Sequence, residues 1–231
     1  MTIKLYDLTD ASREVFFSPY CWRIRMALTH KGLGFESISW HFTDTELIAP
    51  SGQGRVPVIV DDDNWVHESF DIALYLDQQY PDRPPLMKDQ AAVATAQFVE
   101  AWCATSVFGP LRPIAIPHVF SAIAEKDKAY FRESRETALK CRIEDLSSDP
   151  LVEQAALTAS LRPAEALFAK SDFFGGTEPS YADYVLFGTL MWPYQVCPAS
   201  PVETGSATAA WFERMLDLFD GFARSSRRIH S

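Results

Sequence analysis

At Ser18-Pro19-Tyr20-Cys21 a stretch without periodic pattern gives way to apolar residues at helical spacing. A hydroxyl at such a junction stands among unpaired backbone N–H groups at the positive end of a helix dipole, where an anion is favoured. A thiolate is the anion whose chemistry fits. Lowering a thiol from its ordinary pKa of about 8.5 by about two units takes roughly 2.7 kcal/mol of preference for the charged form. A hydroxyl hydrogen bond to a charged acceptor supplies roughly 1.5–3 kcal/mol and a helix terminus about 0.3–1 kcal/mol, so Ser18 with the dipole suffices. The same residues fit an ordinary N-cap with Pro19 in the first turn. Cys21 follows Ser18 at the spacing of a C-x-x-C motif whose first sulfur has become oxygen, which excludes a dithiol cycle. One turn into the helix, it faces either the core as an inert thiol or the site.

Two further segments could hold a peptide. Val56-Pro57 heads an apolar strand, and an X–Pro bond there can be cis at a cost of only about 0.5–1 kcal/mol, turning the Val56 N–H and C=O outward to pair with a bound backbone. A proline at the start of an edge strand has the same sequence. Glu68-Ser69 opens a helix, where Ser69 offers its N–H and hydroxyl to a carboxylate and Glu68 accepts from an ammonium; an ordinary N-cap fits equally. Arg55 reaches either a ligand carboxylate or solvent. Tyr6, near the end of the first strand, is a rival hydroxyl to Ser18.

The elements that must position these residues follow from periodicity. Residues 2–8 and 35–40 read as strands on either side of a helix that starts at Ser18 and stops at Lys31-Gly32. Residues 56–60 and Trp65-Val66 read as a hairpin across Asp61-Asp62-Asp63-Asn64, followed by a helix from Ser69 to near Tyr80-Pro81. The order β-α-β, loop, β-β-α is the thioredoxin arrangement and calls for helices on both sides of one mixed sheet. Asp82-Arg83-Pro84-Pro85 reads as a linker, giving an α/β domain over residues 1–84 and an all-helical domain over 85–231. Helices are expected at 91–107, 126–146, 151–169, 181–192 and 207–223, punctuated by Pro110, Pro113, Pro117, Pro150 and Pro198.

Composition narrows the function classes. The 231 residues are 47% hydrophobic and 23% charged, near globular averages, with a formal net charge of −10 that no single acidic block explains. General affinity for nucleic acid or an anionic membrane is not expected. The N-terminus has no basic segment followed by an apolar run, and no stretch suits a bilayer, so a cytoplasmic chain is the expectation. Cys21, Cys103, Cys141 and Cys197 lack the close pairs of a zinc site, and no metal is expected.

The order and spacing of these elements resemble the glutathione transferase superfamily. The segments SPYCWRIRMALTHKG and VPVIVDDDNWVHESFDIALYLDQQYPDRP look most like its serine-type branch, which includes bacterial β-aryl ether cleaving enzymes and fungal relatives. The resemblance implies a thioredoxin-like glutathione-binding domain and an all-α domain forming the electrophile pocket. It implies glutathione as co-substrate, Ser18 at its sulfur, Val56 before a cis Pro57 on the cysteinyl backbone, and Glu68-Ser69 at the γ-glutamyl end. It also implies a homodimer and a detoxification role, conjugating glutathione to a hydrophobic electrophile or cleaving an aryl ether. Tyr20, Trp102 and Phe108, with Trp192 and Tyr194, are candidates to line the second-substrate pocket. Residues 175–183, GGTEPSYAD, resemble the family's buried capping box between Ser180 and Asp183. A module of the same fold that binds glutathione or a protein partner without turnover is the alternative.

Overall fold

The computed structural model describes residues 2–146 and 149–230. Strand β1 (Ile3–Leu8) runs parallel to β2 (Phe35–Trp40), with Ile3 opposite Phe35 and Leu8 opposite Trp40, and antiparallel to β3 (Val58–Asp61), with Tyr6 opposite Val58. β3 in turn pairs antiparallel with β4 (Asn64–His67), giving the order β2-β1-β3-β4. This is a thioredoxin-like mixed sheet.

Alternation along β1 sorts two faces. Ile3 and Leu5, with Ile59 of β3, join the main core against helix α1 (Pro19–His30) and helix α2 (Ser69–Gln79). Tyr6, Leu8 and Val58 belong to a second cluster. The sequence calls for helices on both faces, but the second face is closed by a 3-10 turn, Thr45–Ser51, that buries Ile48. Phe42, 5.2 Å from Phe131, carries that cluster into the helical part. Pro50 inside the turn, which removes a donor, explains why no full helix forms.

The helical part comprises α3 (Gln90–Trp102), α4 (Phe108–Ala122), α5 (Glu125–Leu139), α6 (Pro150–Ser160), α7 (Arg162–Phe168), α8 (Tyr181–Val196) and α9 (Ala207–Gly221). Of the prolines read as punctuation, Pro150 opens α6 and Pro198 follows the end of α8, but Pro110, Pro113 and Pro117 do not break α4. A π-helical turn, Cys103–Val107, joins α3 to α4, and α4 runs through Pro113 and Pro117. Those prolines lie four apart on one half-buried face, while Leu111, Ala115, Ile116 and Val119 are buried. The span 151–169 splits at Leu161, and non-helical angles interrupt α9 at Leu218–Asp220. Lys140 ends α5 in a left-handed conformation, and Arg132 pairs with both Glu136 and Glu144.

Helix α8 is the axis of the molecule. Every residue from Tyr181 to Met191 is buried, and α8 packs directly on α1. A Cβ on Gly188 would lie 3.2 Å from the Arg23 nitrogen and collide with the carbonyl oxygen of Pro19, so only glycine lets the two backbones meet.

Candidate active site

Ser18 caps α1. Its backbone is extended (φ −65°, ψ 125°), its Oγ accepts from the Cys21 N–H at 3.3 Å, and Pro19 takes the first helical position. That bond does not use the hydroxyl hydrogen, and Ser18 itself is buried. The preceding loop is pinned at several points. The Asp10 carboxylate accepts from the Glu14 and Val15 N–H groups at 3.1 and 3.0 Å, Trp22 Nε1 donates to the Phe16 carbonyl at 2.7 Å, and Phe17 N–H reaches the Leu8 carbonyl at 3.3 Å.

Cys21 takes the core position of its two alternatives. It is fully buried, Sγ lies 4.0 Å from the Tyr6 carbonyl, and burial, followed by the Asp7 carboxyl, pushes the thiol well above its ordinary range. Burial favours the neutral thiol there over a reactive thiolate. Burial likewise raises Asp7, while Arg25, donating at 2.9 Å to both Asp7 and Ser37, ties α1 to β1 and β2.

The Val56-Pro57 bond is cis. Val56 is half-buried and Arg55 exposed. Glu68 adopts a left-handed φ of +63°, sparsely populated for a side-chain-bearing residue. Neither residue of this pair is the ordinary side-chain N-cap: Glu68, at the cap position, makes no side-chain cap bond and is exposed, and Ser69 is the first helical residue.

Ser69 is held by residues that the sequence reading passed over. Arg23 Nη1 donates to Ser69 Oγ at 3.3 Å and pairs with the Glu100 carboxylate of α3; Tyr181 of α8 donates its hydroxyl to the Ser69 carbonyl at 2.6 Å. Arg23 is only 1% exposed. A cation inside the apolar run Cys21-Trp22-Arg23-Ile24 was a visible signal, because a buried arginine requires partners. Its Nε has no hydrogen-bond partner among the described residues, and its guanidinium lies 4.5 Å over the Tyr20 ring.

Aromatic residues gather on the helical side. Tyr20, 42% exposed, stacks on Phe108 at 5.9 Å, and Phe108 meets Trp192 at 6.1 Å. Trp102 packs half-buried against the main core, Tyr194 leans on Phe212 at 5.4 Å beneath Arg228, and Tyr6 stacks on Trp65 at 5.7 Å. Clefts of about 330 Å³, between α6, α7 and the start of α9, and about 510 Å³, beside β2, include none of these residues. Among the described residues no helix is long and apolar enough to cross a membrane, and no cluster of histidine, cysteine or acidic side chains suits a metal.

Comparison with known proteins converges on one family. A family model described as "Glutathione S-transferase, C-terminal domain" matches residues 94–222, and one described as "Glutathione S-transferase, N-terminal domain" matches residues 14–84. A zeta-class glutathione S-transferase of Euphorbia esula is 30% identical over 129 residues, covering 54% of this chain and 52% of its own. Glutathione S-transferase Z2 of Arabidopsis thaliana is 39% identical over 72 residues, 29% of this chain and 32% of its own. The chain thus spans about a third to a half of the length of these curated relatives. Among solved structures, a glutathione S-transferase of Ceriporiopsis subvermispora crystallised with glutathione shares the fold with a TM-score of 0.81 at 22% identity, covering 96% of this chain and 98% of that one. A glutathione transferase of Phanerochaete chrysosporium aligns with a TM-score of 0.76 at 23% identity, covering 97% and 94%.

Proposed function

The chain belongs to the glutathione S-transferase family, and on that footing we propose that it binds glutathione as the thiolate and transfers it to a hydrophobic electrophile. The observation that carries the reading is Ser18. Its oxygen accepts from the Cys21 N–H at the positive end of α1, and that bond does not use its hydrogen, which in this reading goes to the sulfur of the bound thiol. A sulfur placed there is held as an anion by that donor and the dipole together, and it attacks without any covalent bond to the protein.

The same reading assigns the rest of the peptide to the residues around Ser18. The backbone groups of Val56, beside a cis bond, pair strand-fashion with the cysteinyl residue. At the γ-glutamyl end, Ser69 and the first turn of α2 meet the carboxylate, and Glu68, swung out by its left-handed backbone, meets the ammonium with Glu100 nearby across Arg23. Tyr20, Phe108 and Trp192 offer ring faces to the second substrate. We read the enzyme as a serine-type member whose electrophile is aromatic, conjugated or cleaved at an aryl ether, acting as a homodimer in the cytoplasm.

The test is Ser18→Ala, assayed spectrophotometrically with glutathione and an activated aryl halide. Glutathione binding stays near that of the native protein, and kcat at neutral pH falls about 10²-fold, the scale of losing one preorganised donor to a developing or bound anion. Full retained activity would remove Ser18 from its role.

A further inference from the structure

Displacement by a bound thiolate poses a second electrostatic problem, at the atom that departs. The C–S bond forms on one side of the attacked carbon while the bond to the leaving atom breaks on the other, so negative charge develops away from Ser18. A halide carries that charge into water unaided. An aryloxide is a poorer leaving group, and a proton donor beside its oxygen speeds its departure. Most groups in this corner of the molecule are already committed: Glu100 pairs with Arg23, Tyr181 donates to the Ser69 carbonyl, and Cys21 is fully buried. Arg23 and Trp192 carry N–H groups that donate hydrogen bonds but do not give up a proton near neutral pH.

Tyr20 is different. It stands two residues after Ser18 in the first turn of α1, it is exposed, and its hydroxyl makes no hydrogen bond among the described residues. Its ring, by contrast, is held: Phe108 of α4 stacks on it at 5.9 Å with the planes 18° apart, and the Arg23 guanidinium lies 4.5 Å over it. Arg23 is itself fixed by Ser69 and Glu100, and Phe108 meets Trp192 of α8 at 6.1 Å. A phenol whose ring is restrained from three helices while its hydroxyl has no partner in the chain is a donor positioned in advance for an acceptor that arrives from outside. The neighbouring Phe108 and Trp192 make the arriving group aromatic.

Resting on the glutathione reading, we propose that Tyr20 is the general acid for the leaving oxygen of an aryl ether, a catalytic residue with a task separate from that of Ser18. The thiolate sulfur gives an electron pair to the carbon, the carbon–oxygen bond breaks toward oxygen, and the Tyr20 hydroxyl hands its proton to the departing aryloxide. The proton that the next glutathione loses on binding as the thiolate returns to Tyr20 through water. The sum is thiol plus ether giving thioether plus phenol, with no oxidant or reductant. Ethers of poorly acidic phenols are the substrates that need Tyr20, and halides are turned over without it.

The test varies the leaving group at one carbon. Phenacyl chloride, phenacyl 4-nitrophenyl ether and phenacyl 4-methoxyphenyl ether are assayed with glutathione on the native protein and on Tyr20→Phe, a change that keeps the ring and both of its contacts. With the 4-methoxyphenyl ether, kcat/KM of the variant falls about 10²-fold, the scale of one general acid. The loss is smaller with the 4-nitrophenyl ether, whose phenolate leaves more readily, and with phenacyl chloride, whose leaving group takes no proton, the variant stays within about two-fold of the native protein. That retained chloride reaction shows the variant folded and its sulfur end intact. An equal loss on all three substrates means that Tyr20 only shapes the pocket, and it overturns the acid role, as does an undiminished rate on the 4-methoxyphenyl ether. A native protein that consumes phenacyl chloride but neither ether overturns the inference and leaves glutathione transfer standing. Failure of the native protein with all three overturns both.

Discussion

Ser18 and Cys21 show how one helical turn divides two similar groups between opposite fates. Ser18, at the cap, accepts the Cys21 N–H at the dipole end; Cys21, three residues on, is fully buried, where burial and the Asp7 carboxyl raise its thiol. Two expectations follow at this scale. Without its hydroxyl, Ser18→Ala lets the bound thiol drift back toward the ordinary value near 8.5, so its kcat/KM rises with pH across roughly 7–9, where the native enzyme is already level; a flat variant profile contradicts this. In the native protein Cys21 resists alkylation by iodoacetamide at pH 8 and reacts once the chain is denatured, as peptide mass mapping would show. Prompt labelling of Cys21 in the folded protein would contradict its burial.

At the scale of elements, the start of α8 shows what a buried cap costs and returns. Asp183 accepts from the Ser180 N–H at 2.9 Å, the Ser180 hydroxyl at 3.0 Å, the Phe174 N–H at 3.0 Å and Trp211 Nε1 at 3.1 Å. Burial nevertheless pushes its carboxyl up to about 6, with those four donors pulling the other way. The sign follows by linkage. A folded value above the unfolded 3.8 gives a stability contribution that is fully present below about pH 4 and is lost as pH rises through about 6, roughly 3 kcal/mol over two pKa units. Chemical denaturation of native protein and Asp183→Asn at pH 4 and pH 7 checks this: the native chain gains on the variant as pH falls. An advantage that shrinks toward pH 4 would show that the four donors outweigh burial. The prolines of α4 belong to the same scale. Local propensity argues against a helix through Pro113 and Pro117, but burial of Leu111, Ala115, Ile116 and Val119 against the rest of the molecule overrides it.

Across the whole molecule the candidate site belongs to neither half alone. α8 presses on the first turn of α1 at Gly188, α3 supplies Glu100 to Arg23, and Tyr181 fixes the carbonyl of Ser69. Gly188→Ala forces α8 away from Pro19 and Arg23. The expected cost is about 1–3 kcal/mol in denaturant unfolding, with a fall in kcat larger than any change in glutathione affinity because Ser18 moves with α1. Unchanged stability and turnover would mean that the two helices adapt freely.

The sequence by itself determined what short-range physics controls. The cap at Ser18, the stop at Lys31-Gly32, the alternation of β2 and the hairpin turn at Asp61–Asn64 depend on residues within a few positions of one another, and each lies where its pattern indicated. The cis state of Val56-Pro57 was one of two the bond allows, and folding selected it. What only the tertiary structure decided are the contacts between distant residues: Arg23 to Glu100 across 77 positions, Tyr181 to Ser69 across 112, and Thr43 to Asp127 across 84. Nothing in local spacing encodes such pairs. They form because a buried charge or hydroxyl is stable only beside a partner, and which partner is within reach is settled when α3, α5 and α8 close over the sheet.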